Sequence, residues 1–510
     1  MEKRFAWLIF AFCFLVICGV VFSGSKLNIL KQKNLARENK TFNEQIELSV
    51  EFNQKPSPKN KDLKTSGPEI KDLYFPKKFF FGTAYSDFQT AGIDENSDWH
   101  DYVSTMKPPQ MGPGVGNDFF NRYREDFDLA DKLGIQVHRI SLEWSRFEPK
   151  EGNWDMKTVA KYKKIFAYMR KKGIEPMICL NHFPVPKWFA DKGGWENNEA
   201  PFYFMRYAEF VAKNIGIPLK IKWWLTLNEP QYIISVSYAK AGWPPFKEIN
   251  DLKDSLGMQR LMMVTSHVMD AHRLAYRAIH QTLDKKIRTK PMVGFASAVG
   301  SFYPANPNSP LDQFAFNIFN FLQTLLFDYT IGNTDRDFIG LNYYGRTRLK
   351  MHVSVWKNIV PWLNEDKPIA IEWDPDAQNF KNGRPKEFFP QGLYDTIIKF
   401  KELGLPIIIT ENGLDDEIDK FREEFIVIHL KSVHDAIKNG ANVIGYQYWS
   451  LADTWEPGDA KFSQMGLIKI ERDNNLKRSV RPSAWTYAKI IKTHKISREL
   501  LRKYGGVLTK

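Results

Sequence analysis

The chain has 510 residues, 43% of them hydrophobic, and a mean hydropathy of -0.41, so it can bury a large core as one big domain or two ordinary ones while most of it stays soluble. The net charge of +13 comes with no compact Lys/Arg stripe interleaved with aromatics, so it reads as a solvated basic surface and implies no nucleic-acid partner. Three cysteines, two of them (Cys13 and Cys18) in the apolar N-terminus and Cys179 alone, provide neither a disulfide framework nor a CxxC metal site.

At the N-terminus Lys3 and Arg4 precede an uncharged apolar stretch from Phe5 to Phe22, about the length that crosses a bilayer core. Residues 1–23 are expected to form a transmembrane signal anchor, or a long signal peptide cleaved near Ser23. The anchor is preferred because the apolar core exceeds the usual signal length. The remainder would then lie outside the cytoplasm, membrane-anchored or, after cleavage, secreted, although Lys26, Lys31, Lys33 and Arg37 blunt the charge asymmetry. Residues 24–72 are rich in Lys, Glu, Asn and Gln and read as a polar linker, partly helical near Gln45 to Val50.

From residue 73 to 492, short apolar runs alternate with longer amphipathic ones, as parallel strands with helical crossovers do. Strands are expected at Phe79–Ser86, Val137–Ser145, Glu175–Phe183, Lys222–Pro230, Pro291–Val299, Asp337–Gly345, Leu405–Gly413 and Val443–Asp453. One intervening helix places Val159, Tyr162, Phe166 and Met169 on one face and lysines on the other. Helices close on glycine in ADKLGI, RKKGI, KELGL and IKNGA, each just before a strand. Eight such units suit a single TIM (β/α)8 barrel, with residues 493–510 as a basic C-terminal tail. The competitor, an open doubly wound sheet, needs an early phosphate-binding glycine loop. The nearest candidate, GPGVG at Gly112–Gly116, follows no strand directly and has no GxGxxG form.

On a barrel the strand ends converge on one mouth. Glu229, closing WWLTLNEP, and Glu411, in ITENG, would therefore face each other from the fourth and seventh strands. Two opposed carboxylates are what glycoside hydrolysis requires, one to deliver a proton and one to attack or hold a water. Either alone would more often be an ordinary surface or ion-paired glutamate.

The motifs FGTAYSDFQ, HRISLEWSR, CLNHF, TLNEP, GLNYYG, ITENG and YWSLAD occur in that order along the chain, at the expected strand ends, followed by RPSAWTY. Along nearly all of residues 73 to 492 the chain resembles the β-glucosidases and β-galactosidases of glycoside hydrolase family 1. The resemblance implies a retaining double displacement without cofactor or metal. It implies Glu229 as acid/base, Glu411 as nucleophile, and Arg139 and Tyr344 as its supports. It also implies Gln89 and Glu456 on the outer hydroxyls of the sugar, His182 and Asn228 on the remaining ones, and Trp449 as the apolar floor. Outside that context His182 would pass for a core histidine and Trp449 for packing.

Three positions depart from the family pattern. Ala91 in QTAG replaces a glutamate, and Met465 replaces the aromatic before Gly466. DTWEP at 453–457 lacks the family's second tryptophan, for which Trp455 is a candidate substitute. They leave the sugar (glucose, galactose, fucose or mannose) open. A phosphorylated substrate is disfavoured, because Glu456 is kept and Ser463 and Gln464 precede Met465. Trp188, Phe246 and Trp373 are candidates for the aglycone side. His267 and His272, five apart on a helix, do not share metal-ligand spacing.

The expected protein is thus a β-glycosidase tethered at the membrane or exported, acting on a small β-glycoside or oligosaccharide. The rival is a silent sugar-binding protein on the same barrel. Transfer to an alcohol or sugar in place of water would leave the same motifs, and oligomeric state is not legible.

Overall fold

The eight apolar runs all form strands. In the computed structural model, which describes residues 70–107, 110–249, 254–288, 290–319, 326–353, 369–373 and 388–505, these are β1 (Phe80–Ser86), β2 (Val137–Ser141), β3 (Glu175–Asn181), β4 (Trp223–Asn228), β5 (Met292–Ala298), β6 (Ile339–Asn342), β7 (Ile407–Glu411) and β8 (Val443–Tyr448). They pair in parallel and in order, and β8 returns to β1 to close a barrel. Most of their residues are buried on both faces, which is why they read as continuous apolar runs rather than alternating ones.

The four glycines expected to end helices, Gly134, Gly173, Gly404 and Gly440, have φ of 73°, 73°, 71° and 84°, the left-handed conformation that closes a helix before a strand. In the helix Met156–Lys171, Val159, Tyr162, Phe166 and Met169 are buried against the barrel. Asp155 caps its start by accepting from the N–H groups of Lys157 (2.8 Å) and Thr158 (3.2 Å), worth about 1 kcal/mol. Inside the barrel, Met177, Cys179, Trp223, Leu225, Phe338 and Ile408 plug the end away from the mouth. Burial pushes the Cys179 thiol up to about 11 and leaves it inert.

Several strands end earlier than expected. Val137–Ser145 stops at Ser141, before a helical turn at Trp144–Phe147, and Val443–Asp453 stops at Tyr448. At this end the chain leaves the ladder to build the mouth. A three-stranded sheet of Ser301–Pro304, Arg346–Val353 and Ile369–Trp373 was not anticipated, because its short strands carry too little apolar pattern. Gly112–Gly116 packs on the short helix Asp87–Ala91 that follows β1: a Cβ on Gly116 would lie 2.5 Å from the Thr90 carbonyl, so the loop needs glycine for close approach.

The segment expected as a basic tail carries structure in its first part. Lys495–Ile496 pairs antiparallel with Leu73–Tyr74, Asp72 accepts from Lys495 Nζ at 2.6 Å, and a helix follows at Arg498–Tyr504. Among the described residues no helix is long and apolar enough to cross a membrane. The stretch Phe5–Phe22, the linker up to residue 69 and its expected helical turn lie outside the described residues.

Candidate active site

The C-terminal ends of the strands line a cavity of about 310 Å³, within the range of small-molecule sites. Glu229 lies just beyond β4, its backbone in the left-handed region (φ 47°) and its N–H donating to the Ala296 carbonyl at 2.7 Å. Glu411 is the last residue of β7. Both line the cavity together with Gln89, His182, Tyr344, Trp449 and Glu456.

Their surroundings differ. Glu411 forms an ion pair with the buried Arg139 of β2 through Oε1, and its Oε2 accepts from the Tyr344 hydroxyl at 2.6 Å. Burial, and next the Glu411 charge, raise the Tyr344 pKa well above normal, so Tyr344 stays protonated and donates. Burial opposes the charge on Arg139, but Glu411 more than offsets it and holds the guanidinium above its ordinary pKa. Among the described residues no cation forms an ion pair with Glu229, and the charge of Arg139 acts on it only as a minor influence behind burial and Glu411. Burial first, and then the Glu411 charge, push its pKa up to about 8, against one hydrogen bond from Asn342 Nδ2 (3.0 Å). Glu229 is therefore mainly protonated at neutral pH.

Asn342, at the end of β6, ties the strands together. Its carbonyl accepts from Thr410 Oγ1 at 2.7 Å, which turns its amide N–H groups toward Asn228 Oδ1 (3.1 Å) and Glu229 Oε1. Asn228 Oδ1 also accepts from Arg139 Nη1 (3.0 Å), so Asn228 Nδ2 is the donor that meets His182 Nε2 at 3.2 Å. The His182 proton then sits on Nδ1, 3.0 Å from Ser141 Oγ. Burial, and then Arg139, keep that ring neutral with its pKa well below normal. One network thus fixes Asn228 and His182 across β2, β3, β4, β6 and β7.

On the opposite wall, Glu456 Oε1 accepts from Thr454 Oγ1 (2.8 Å), Trp449 Nε1 (3.2 Å) and Gln89 Nε2 (3.2 Å), leaving Oε2 for the cavity. Burial pushes the Glu456 pKa up to about 8 despite these donors. Trp449 packs with Ala84, Met465 and Tyr344, stacks on His182 with centroids 5.7 Å apart and covers Arg139. A Cβ on Gly413 would lie 1.9 Å from the Trp449 carbonyl, so the glycine of ENG lets this floor close. Asp453 anchors the loop below through a two-point ion pair with Arg481 (2.7 and 3.0 Å) and the N–H groups of Gly466 and Ile470.

Several expectations are corrected. Trp455 does not line the cavity. It is fully buried, its Nε1 donates to the Met111 carbonyl at 2.6 Å, and its own carbonyl accepts from Gln89 Nε2 at 2.7 Å, so it orients Gln89. Trp188 is turned away, donating to the Glu148 carbonyl, and Phe246 packs on Tyr102 at the surface. The side chain of Trp373 lies outside the described residues. The aromatic rim is instead Tyr232, Trp243 and Phe183, none of which the sequence singled out. Asn342 was also missed, although it sits inside the quoted GLNYYG. Met465 lines the cavity floor, while Ala91 ends the short helix Asp87–Ala91, half-buried outside it. His267 and His272 bond backbone carbonyls of Trp195 and Asp335, and no cluster suited to a metal occurs among the described residues.

The family model described as Glycosyl hydrolase family 1 matches residues 71–333 and 327–496. The chain is 30% identical to "Beta-glucosidase-like SFR2, chloroplastic" of Oryza sativa subsp. japonica over 73% of its own length and 56% of the relative's. It is also 30% identical to "Galactolipid galactosyltransferase SFR2, chloroplastic" of Arabidopsis thaliana, covering 75% of this chain and 59% of that one, so it spans less than two thirds of either plant relative. It is similar in structure to a β-glycosidase from Pyrococcus horikoshii, with a TM-score of 0.73 and 30% identity, covering 85% of this chain and 98% of that one.

Proposed function

Since the chain belongs to glycosyl hydrolase family 1, we propose that it hydrolyses terminal β-linked sugars by double displacement with retention, Glu411 as nucleophile and Glu229 as acid/base. The observation that carries this reading is the unequal treatment of the two carboxylates: Glu411 is ion-paired to Arg139, while Glu229 keeps a proton up to about pH 8.

In the first step a Glu411 oxygen bonds the anomeric carbon as the glycosidic C–O bond breaks, and Glu229 gives its proton to the departing oxygen. The ester removes the charge on Glu411, the like charge that helped hold the proton on Glu229. Glu229 then accepts a proton from water, which attacks the anomeric carbon and releases Glu411. Trp449 supplies the apolar floor, Gln89 and Glu456 meet the outer hydroxyls, and Asn228 and His182 the others. A lining that includes Asp415 and Asp459 and, among the described residues, no lysine or arginine supports an uncharged glycone, since a phosphate would meet like charge and no cation there.

The test is an aryl β-glycoside panel with the full chain, following the anomer released first. Cleavage with the β-configuration retained, and lost in Glu411→Gln, upholds the reading. A folded protein that binds sugar and cleaves nothing would overturn it in favour of a sugar-binding role. A second reading, transfer to an acceptor, draws on the Arabidopsis relative's name. Here a galactolipid supplied as donor and acceptor would yield oligogalactolipid in place of free galactose.

We further propose that the apolar stretch Phe5–Phe22 tethers the protein at a membrane with the barrel outside the cytoplasm. Resistance of the full chain to alkaline extraction supports the tether, and N-terminal sequencing of the mature protein distinguishes it from cleavage and export.

A further inference from the structure

Lysines that are scattered in sequence meet at one end of the barrel. Every turn that leads into a barrel strand, except the one before β6, carries an exposed lysine, among them Lys132, Lys171, Lys220, Lys286, Lys401 and Lys438. The turn before β6 instead buries Arg336 in an ion pair with Asp328. Lys401 Nζ reaches across to the Asn439 carbonyl of the neighbouring turn at 2.9 Å. No carboxylate among the described residues lies within ion-pairing distance of Lys132, Lys171, Lys220, Lys286 or Lys438. The exposed carboxylates in these turns are Asp131, Asp284 and Glu402, which the lysines and arginines outnumber. The opposite end, with the mouth, has Asp415 and Asp459 in its lining and, among the described residues, no lysine or arginine there, so the two ends of the barrel differ in charge.

We propose that this basic end is a docking face for an anionic lipid bilayer, so that the catalytic mouth points away from the membrane. The described chain comes into the fold at this end: Leu73–Tyr74 pairs beside Lys495–Ile496, and exposed Lys77 and Lys78 lead into β1. Beyond it lie 69 residues that contain the apolar stretch Phe5–Phe22. A bilayer is thus the partner held next to this face, and the orientation rests on the tethered reading above. A ring of lysines spread around a barrel end suits a diffuse anionic surface, where each lysine near the surface strengthens binding by about five-fold. It offers no single pocket for one phosphate.

The test uses the full chain in vesicles of phosphatidylcholine alone or with phosphatidylglycerol, and a water-soluble amine label read by mass spectrometry. Lys132, Lys171, Lys220, Lys286 and Lys438 are expected to be protected on the anionic vesicles alone and to lose that protection at high salt. Lys107, Lys187 and Lys461, in the loops of the other end, label equally in both. The variant K132E/K220E/K286E/K438E, all at exposed sites outside the catalytic machinery, is expected to lose protection of the remaining face lysines, Lys171 included, while cleaving a soluble aryl glycoside at the parent rate. Equal labelling of the face on both vesicles overturns the proposal. So does equal protection by duplex DNA at the same ionic strength, which would make the face a general polyanion surface. If the chain fails to remain on neutral vesicles, the tethered reading fails by itself. Binding of that same free chain to anionic vesicles then still decides whether the face docks.

Discussion

The β7 wall and the β4 wall of the mouth each present a glutamate to the same cavity, and they treat it in opposite ways. On the β7 wall, a guanidinium and a phenol donate to both oxygens of Glu411. On the β4 wall, Glu229 receives one amide N–H, and burial dominates. The difference is one of neighbours: a guanidinium and a phenol hold Glu411 from both sides, whereas burial dominates around Glu229, and the proposed division into nucleophile and acid rests on that contrast.

The sharpest way to break this contrast is Glu411→Gln, which leaves the Arg139 charge without a counter-ion and removes the attacking oxygen. Its kcat on aryl β-glycosides is expected to fall by about 10⁴-fold or more, measured by steady-state kinetics on folded protein. Glu229→Gln comes next. The loss in kcat/KM, which reports the bond-breaking first step, is expected to reach about 10²- to 10⁴-fold for poor leaving groups and to shrink for dinitrophenyl glycosides, which need no proton in that step. A loss independent of leaving group would remove Glu229 from the acid role. In the parent, kcat/KM should decline as pH rises through about 8, where Glu229 gives up its proton, and Glu229→Gln should lack that alkaline limb.

A smaller effect is expected from Asn342→Ala. Losing the one N–H given to Glu229 removes the only neighbour shown to favour its ionised form by hydrogen bonding, so the alkaline limb moves up. The freed Asn228 amide lowers kcat by about ten-fold, and Asn342→Asp would not restore either. The smallest effect concerns stability. Glu229 and Glu456 have folded pKa values raised to about 8. The stability they lend is full below their unfolded values near 4.5 and is lost as pH rises through about 8. Replacing Glu456 by Gln should therefore raise Tm modestly at pH 9 and leave it unchanged at pH 4, read by scanning calorimetry.

The barrel was legible because parallel strands buried on both faces leave uninterrupted apolar runs, and because glycine marks the helix ends. The two glutamates were legible because they stop such runs. Asn342 was not, since its partner Glu229 lies 113 residues away in sequence and only the register of β4, β5 and β6 brings them together. Trp455 was misplaced for a related reason. Its neighbour Glu456 lines the cavity, and alternation along Thr454–Glu456 turns the tryptophan to the other side. Trp243, in a loop, and Tyr232, in the short helix Pro230–Tyr232, carry no periodic signal at all. The basic end was invisible because seven separate turns contribute one to three lysines each, and no linear stretch looks like a patch.

The pairing of Leu73–Tyr74 with Lys495–Ile496 has a consequence for how the chain could be rewired. The first and last strands of the domain are hydrogen-bonded neighbours and only the helix Arg498–Tyr504, about 10 Å long, follows them, so a short glycine-rich linker from that helix back to residue 70 could join the ends. New termini opened at the exposed turn between Lys285 and Lys286 would cut none of the eight barrel ladders and none of the mouth-building loops. Such a circular permutant should fold to the same mouth, because closure of the barrel depends on which strands lie side by side and not on which is made first.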